Sequence, residues 1–405
     1  MKAFPLTDKV WWVGAIDWSV RNFHGYETGR GTTYNAFLVI DEKITLIDTV
    51  KAPFFAEMRD RIASVVDPAK IDYIVSNHAE PDHSGALPAA VAAFAPERVY
   101  ASTAGAATLR AYYGDAFEVT PVRTGDTLSL GKTALHFVET KMLHWPDSMI
   151  SYLEGEKVLF SQDALGMHYA ASRLWADECD RSILEYEAKK YVANILLHLS
   201  NKVIATLDQL PGLGLEIGII APDHGPLWRR PEDQAWIIDL YRRTAEQPWG
   251  RKALICYRSM WGSTAAMARE LLDGLRSEGI EGDLVSLEVE DRSSVATRLL
   301  DAGVVAFGSP TINNQMFPAV ADVLCYLRGL KPQRHIGFAF GSFGWSGEGA
   351  KQVQQSLTDM GFEMPLPALA ARYAPDAAAR EQAFAAGAEL GRRLKEKLQP
   401  QNKEA

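Results

Sequence analysis

The chain has 405 residues, 47% of them hydrophobic and 23% charged, with a net charge of −9 and an isoelectric point near 5.6. That length allows two or three domains with ample buried core, while the acidic balance argues against nucleic acid as the main partner. No apolar run reaches the roughly 18 residues that would suggest a membrane span.

Taken in chain order, residues 1 to about 248 read as mostly strands, then helices. Val10 to Trp18 is β-rich. Tyr34 to Ile40 and Ile44 to Asp48 flank the polar turn Asp41-Glu42-Lys43, a hairpin pattern, and Ala134 to Thr140 is another strand. Met149 to Leu153 and Lys157 to Phe160 form a second hairpin pattern, Leu184 to Leu207 carries helical apolar spacing, and Ile217 to Ile220 is a short buried strand. Glu246 to Arg251 looks like a linker. Beyond it strands and helices alternate strictly: strands near 253–257, 284–289, 304–308, 335–340 and 368–373, helices near 264–277, 295–302, 318–330, 350–360 and 377–398. Five such units predict a parallel, doubly wound sheet. The polar tail Gln399 to Ala405 is expected to fray.

Three scattered cysteines, Cys179, Cys256 and Cys325, contain no CxxC. They argue against a secreted disulfide scaffold and against a four-cysteine iron–sulfur or rubredoxin-type site within this chain. With an N-terminus that lacks the apolar core of a signal peptide, they make a reducing cytoplasm the expected compartment.

The densest chemistry lies in His78-Ala79-Glu80-Pro81-Asp82-His83, directly after the strand-like run Ile71 to Val75. Imidazole beside carboxylate is a ligand set for a first-row metal, although two histidines and two acids in a polar loop can also be solvated surface. Further ligands would come from other strand ends, where a β scaffold presents functional groups. His144, Asp163 and His224 each stand where a strand gives way to a loop. A lone histidine or aspartate in such a place is commonly structural; their joint occurrence with the cluster changes the balance. His136, His168, His198 and His335 are assigned to structure. His24 is left open, as a residue that could stand beside the ligands.

This order and spacing resemble the metallo-β-lactamase fold, whose usual signature is HxHxDH followed by His, Asp and His. Glu80 stands where the second histidine belongs. Four imidazoles (His78, His83, His144, His224) and three carboxylates (Glu80, Asp82, Asp163) can then be divided between two metals. Each ion receives two histidines and one acid, with Asp163 left to bridge. Two histidines and one carboxylate are an iron preference, and a bridging carboxylate would hold the ions about 3.5–4 Å apart.

In the second half, the first strand runs into Ser259-Met260-Trp261-Gly262-Ser263-Thr264 and then a helix. Hydroxyls, a glycine and helix N-terminal amides make an anion cradle. Walker A and GxGxxG patterns are absent, which favours a monophosphate. The third strand runs into Pro310-Thr311-Ile312-Asn313-Asn314 and the fourth into Ser342-Phe343-Gly344-Trp345-Ser346-Gly347, all at the ends where open α/β sheets bind ligands. These loops resemble the phosphate loop and the two isoalloxazine loops of flavodoxins, with Trp261 and Trp345 available to pack on a flat ring.

The pair of domains, 1–248 and 251–405, resembles the flavodiiron proteins over nearly the whole chain. The resemblance is carried by Gly31-Thr32-Thr33-Tyr34-Asn35-Ala36, Ser76 to Gly85 and Gly308-Ser309-Pro310-Thr311. It implies a metallo-β-lactamase-like αββα sandwich joined to a flavodoxin-like sheet, with two iron ions and FMN as cofactors. His78, Glu80 and His144 would hold the iron nearer the flavin; Asp82, His83 and His224 would hold the other, with Asp163 between. FMN would sit on the three loops. The implied activity is reduction of dioxygen to water, of nitric oxide to nitrous oxide, or both, with electrons reaching FMN from rubredoxin or a similar donor. A head-to-tail homodimer, or a dimer of dimers, is implied because it brings one subunit's FMN beside the other's irons. Where the family often has two adjacent tyrosines, this chain has Tyr191-Val192. The alternatives are a dizinc hydrolase with an accessory flavodoxin-like domain, against which Glu80 and the flavin loops speak, and a simple FMN electron carrier, for which the ligand set would be unnecessary.

Overall fold

A computed structural model describes residues 1–399; positions 400–405 of the tail expected to fray lie outside the described residues. The chain divides into two compact units: Met1–Val192 with Leu199–Ala245, and Ala193–His198 with the chain from Glu246 onward.

The first unit contains two sheets. Seven strands follow the order Phe4–Pro5, Val10–Trp12, Phe37–Val39, Thr45–Ile47, Tyr73–Ser76, Arg98–Ser102, Val119–Val122. Five more follow the order Thr127–Ser129, Ala134–Glu139, Met149–Leu153, Val158–Gln162, Ile219–Pro222. Because strand side chains alternate between faces, Phe37, Val39, Ile47 and Val75 of the first sheet meet Phe137, Met149, Val158 and Phe160 of the second in one core. The intervening residues Leu38, Leu46 and Ile74 face outward onto the helices Phe55–Ala63, Leu87–Phe94 and Thr103–Tyr113. The result is the expected αββα sandwich.

Two expectations need correction. Residues 1–248 are not strands followed by helices, because helices already intervene after residue 54. From Thr45–Ile47 onward the neighbouring strands of the first sheet pair parallel, and each parallel return needs a crossover, usually helical. Nor is Leu184 to Leu207 one helix. It breaks into Arg181–Tyr191, a π-helical turn at Val192–Leu196, a 3-10 turn at Leu197–Leu199 and Ser200–Gln209. The break falls where Ala193–His198 belongs to the second unit: Leu197 lies in its core, and the Tyr326 hydroxyl donates to Asn194 Oδ1 at 2.8 Å.

The second unit has a parallel sheet of Lys252–Tyr257, Gly282–Ser286, Ala302–Ile312, Ile336–Phe343 and Leu369–Arg372, in spatial order 2-1-3-4-5. Both faces are covered, so its central strands are largely apolar. Ala253, Ile255, Val304, Ala306 and Phe338 pack on Ser263–Ser277 and Ala377–Leu398. Leu254, Cys256, Val305, Phe307 and Ala339 pack on Arg292–Leu299, Pro318–Leu330 and Glu348–Asp359. The third strand outruns its expected end at Gly308, because Thr311 and Ile312 pair with Gln315 and Met316 across a hairpin. Asn313 and Asn314 supply the two left-handed residues, at φ 50° and 60°, that such a tight turn favours. Among the described residues no helix is long and apolar enough to cross a membrane.

Candidate metal centre and flavin cleft

All seven candidate ligands stand just past strand ends of the first unit. His78 and Glu80 follow Tyr73–Ser76, His144 follows Ala134–Glu139, Asp163 follows Val158–Gln162 and His224 follows Ile219–Pro222. Asp82 and His83 ride on the one-turn helix Pro81–Ser84. Proline pre-sets φ for a first helical position, so the backbone changes from extended at Glu80 (φ −62°, ψ 141°) to helical at the next residue. That change sends Glu80 to one group of side chains and its near neighbours Asp82 and His83 to another.

The first group is His78, Glu80 and His144, and the second is Asp82, His83 and His224; donor atoms converge in both. Glu80 Oε2 lies 3.2 Å from both His78 Nε2 and His144 Nε2. Asp82 Oδ2 lies 3.1 Å from both His83 Nε2 and His224 Nε2. Asp163 faces both groups, with a different oxygen for each. Its Oδ2 is 2.8 Å from His144 Nε2 and 3.4 Å from His78 Nε2, while its Oδ1 is 3.2 Å from His83 Nε2 and 3.4 Å from His224 Nε2.

These separations suit cations. Donors about 2.1 Å from one ion and at right angles lie about 3.0 Å apart. Both oxygens of Asp82, both ring nitrogens of His83 and Oδ1 of Asp163 are buried without a hydrogen bond, an arrangement that is costly unless something charged completes it. Burial opposes charge on each of these groups, yet acids and imidazoles overcome it in each other's favour. Asp163 and Glu80 carry His144 up to about 9. Asp147 and Glu80 hold His78 well above its usual range, and Asp82, Asp223 and Asp163 do the same for His83. The carboxyls of Glu80, Asp82 and Asp163 are held well below theirs by the surrounding rings.

Two of the rings, His78 and His224, are also engaged on the side away from the site. Asp147 Oδ2 sits 3.0 Å from His78 Nδ1 and accepts from the Ala79 amide at 2.6 Å. His224 Nδ1 lies 2.6 Å from the carbonyl oxygen of Thr33. The segment Gly31–Ala36 thus shapes the site: Asn35 Nδ2 donates to the carbonyls of Pro222 and Gly225 at 2.7 and 2.9 Å, holding the loop that carries His224. A Cβ at Gly31 would stand 2.4 Å from Asp17 O, and its φ of +68° favours glycine. Behind His83 lies Asp223, with Oδ2 3.5 Å from Nδ1. Burial and the nearby Asp48 push the Asp223 carboxyl up; burial likewise takes Asp48 to about 6, against the pull of His83 and Asn77.

His24, left open from sequence, sits on a turn with φ 54° and reaches Glu80 Oε1 at 2.5 Å. His168, assigned to structure, lies in the wall of the site: its ring is 4.4 Å from that of His224 and 5.2 Å from that of Tyr191, and Thr32 Oγ1 is 2.8 Å from its Nδ1. Burial and the neighbouring His224 keep it neutral. Tyr191 is the member of the Tyr191-Val192 pair whose ring approaches the site, 6.4 Å from His224. Asp147 and the carbonyl of Thr33 were not singled out beforehand. Asp147 was legible only as the end of His144-Trp145-Pro146-Asp147, and nothing local marks a backbone carbonyl.

In the second unit a cleft of about 500 Å³ opens at the carboxyl ends of the strands, within the usual range for small-molecule sites. Met260, Trp261 and Ser263 line it from the first loop, Pro310, Thr311, Asn313 and Asn314 from the second, and Ser342, Phe343, Gly344, Trp345 and Ser346 from the third. Ser259, Gly262, Thr264, Ile312 and Gly347 are not among the lining residues. Thr264 Oγ1 instead lies 2.9 Å from Ser342 Oγ, tying two loops together, and Gly262 (φ 85°) precedes the helix that begins at Ser263. Tyr373 joins the lining from the end of the fifth strand. Trp261 and Trp345 are 91% and 86% exposed, so both indole faces are free to cover a planar ring.

An αββα sandwich presenting two imidazole–carboxylate groups about a shared aspartate, in one chain with a flavodoxin-type sheet, defines a dinuclear metalloflavoprotein. Residues 32–225 match the ODP family beta lactamase and residues 255–387 match flavodoxin. The chain is 44% identical to the rubredoxin-oxygen oxidoreductase of Megalodesulfovibrio gigas over 98% of its own length and all of that protein. It is 44% identical to the nitric oxide reductase of Moorella thermoacetica over 87% of its length and 88% of that protein. The crystal structure of the flavodiiron protein from Giardia intestinalis superposes with a TM-score of 0.93 at 37% identity, covering 98% of both chains. The chain belongs to the flavodiiron protein family. It is an oxidoreductase whose cofactors are FMN and a diiron centre. The dizinc hydrolase alternative is not favoured.

Proposed function

We propose that the protein reduces dioxygen to water, nitric oxide to nitrous oxide, or both, at iron ions held by His78, Glu80 and His144 on one side and Asp82, His83 and His224 on the other. The domains are 1–248 for the metal centre and 251–405 for FMN, with Ala193–His198 packed into the latter. When bound, the two irons and FMN would supply the electrons. The side chains supply placement. Asp147 orients His78 so that its Nε2 points at the site, the carbonyl of Thr33 does the same for His224, and the buried walls exclude water. Each set of two imidazoles and one carboxylate suits iron and leaves positions for a small ligand. One observation carries this conclusion: Asp163 presents one oxygen to each donor group. A rubredoxin-type electron donor, a head-to-tail homodimer or dimer of dimers, and a cytoplasmic location complete the proposal, supported by the name of the Megalodesulfovibrio relative and by the family resemblance.

Stopped-flow mixing of the anaerobically reduced protein with dioxygen and, separately, with nitric oxide tests it. Flavin and iron should reoxidise together with at least one gas, and elemental analysis should find two irons per chain. Zinc in place of iron, or indifference to both gases, would reject it. A second result concerns Asp147. Partners of metal-bound imidazoles are worth about 10–100-fold in metal affinity, so Asp147→Asn should weaken iron binding by that factor, read by competition with a chelator, with FMN content unchanged.

A further inference from the structure

Within the first unit, beside the loops that carry His144 and Asp163, lies a small apolar pocket of about 20 Å³. Ile150 and Leu159 of the second sheet form its floor, and Val203 and Leu207 of the helix Ser200–Gln209 form its roof. Its end wall is Leu143, Ala164 and Leu165, the chain neighbours of His144 and Asp163. Gln162 Nε2 donates to the Leu143 carbonyl at 2.6 Å, joining the two ligand-bearing loops at that wall.

The walls are apolar because nearby hydroxyls turn away. Ser161 donates to the Ala164 carbonyl at 2.7 Å and Tyr241 to the Gly166 carbonyl at 2.5 Å. Among the buried lining hydroxyls that of Thr140 alone lacks a partner. A buried water needs two to four partners, so this space repels water. Apolar voids stay dry, and those with room for it take up xenon. Dioxygen and nitric oxide share the relevant properties: one small molecule's volume, little polarity and no strong hydrogen bonding.

We propose that this cavity is a holding site for the diatomic gas substrate, one residue removed from His144 and Asp163, which raises the local gas concentration beside the metals. The inference rests on the gas reductase reading above. Pressurising crystals of the holoprotein with xenon tests occupancy without turnover. A xenon atom between Leu159 and Val203 is expected, and its absence overturns the proposal. Val203→Leu fills the cavity from a buried position and Thr206→Phe closes it from its half-buried rim. Either change should lower kcat/KM for the gas several-fold while kcat at saturating gas, iron content and FMN content stay as in the parent. Unchanged kcat/KM for both dioxygen and nitric oxide in variants that no longer bind xenon would also overturn it. If the parent protein reduces neither gas, the functional reading fails instead, and the xenon result distinguishes that case.

Discussion

Replacing Asp163 by asparagine should strip both irons and leave FMN bound. The carboxylate offers two oxygens to two different groups of donors, and it is buried. An amide keeps the shape but has a single oxygen, no charge and an NH₂ that cannot ligate. One donor group loses its shared ligand outright, and the site loses a buried negative charge that helps hold cations among four imidazoles. Loss of an outer partner alone costs about 10–100-fold in affinity, so loss of this ligand should exceed about 100-fold in both iron retention and turnover. Elemental analysis and flavin absorbance of the same sample provide the check. Two irons and full activity in Asp163→Asn would remove this residue from the centre.

The second large effect is on acid stability and belongs to the flavin unit. His335 is buried, and burial brings its ring down to about 4 despite a bond to the Ala302 carbonyl at 2.9 Å. A carbonyl only accepts, so Nδ1 carries the proton of a neutral ring, which also packs at 4.9 Å on Phe362. The folded value lies below the ordinary one of 6.5. The stability is therefore fully present above pH 6.5 and is lost as pH falls toward 4, because the unfolded chain takes up a proton that the folded chain refuses. Integrated over that window the loss is about 3 kcal/mol. Urea unfolding followed at pH 7 and at pH 4 should show it, and His335→Gln should remove that part of the pH slope. Equal slopes in parent and variant would contradict the assignment. Carboxylates elsewhere titrate in both proteins and cancel in the difference.

Much of this was visible beforehand because it is local. Strand–helix alternation after Arg251 reflects apolar periodicity, and the five-stranded sheet follows from it. Metal-capable residue types at strand ends, and small polar residues in the loops after Tyr257 and Ile312, are likewise properties of neighbouring positions. The misses have the opposite character. Leu184 to Leu207 keeps helical spacing, yet the chain unwinds at Val192–Leu196 because Leu197 is buried in the other unit. Tyr373 lines the flavin cleft through the position of a strand end rather than through a motif. His168 looks like any loop histidine until Tyr191 and His224 close around it.

The sequence by itself determined the kinds of donor in this protein, the substitution of Glu80 for an imidazole and the two fold classes, since each depends on residues within a few positions of one another. The tertiary structure alone decided which oxygen of Asp163 meets which histidine, that Asp147 stands behind His78, and that an apolar pocket lies between the second sheet and the helix Ser200–Gln209. Those side-chain pairings join chain positions up to 85 residues apart, from His78 to Asp163. They exist only because separate strands end at one place, and burial there leaves each charged group no partner except those the fold brings.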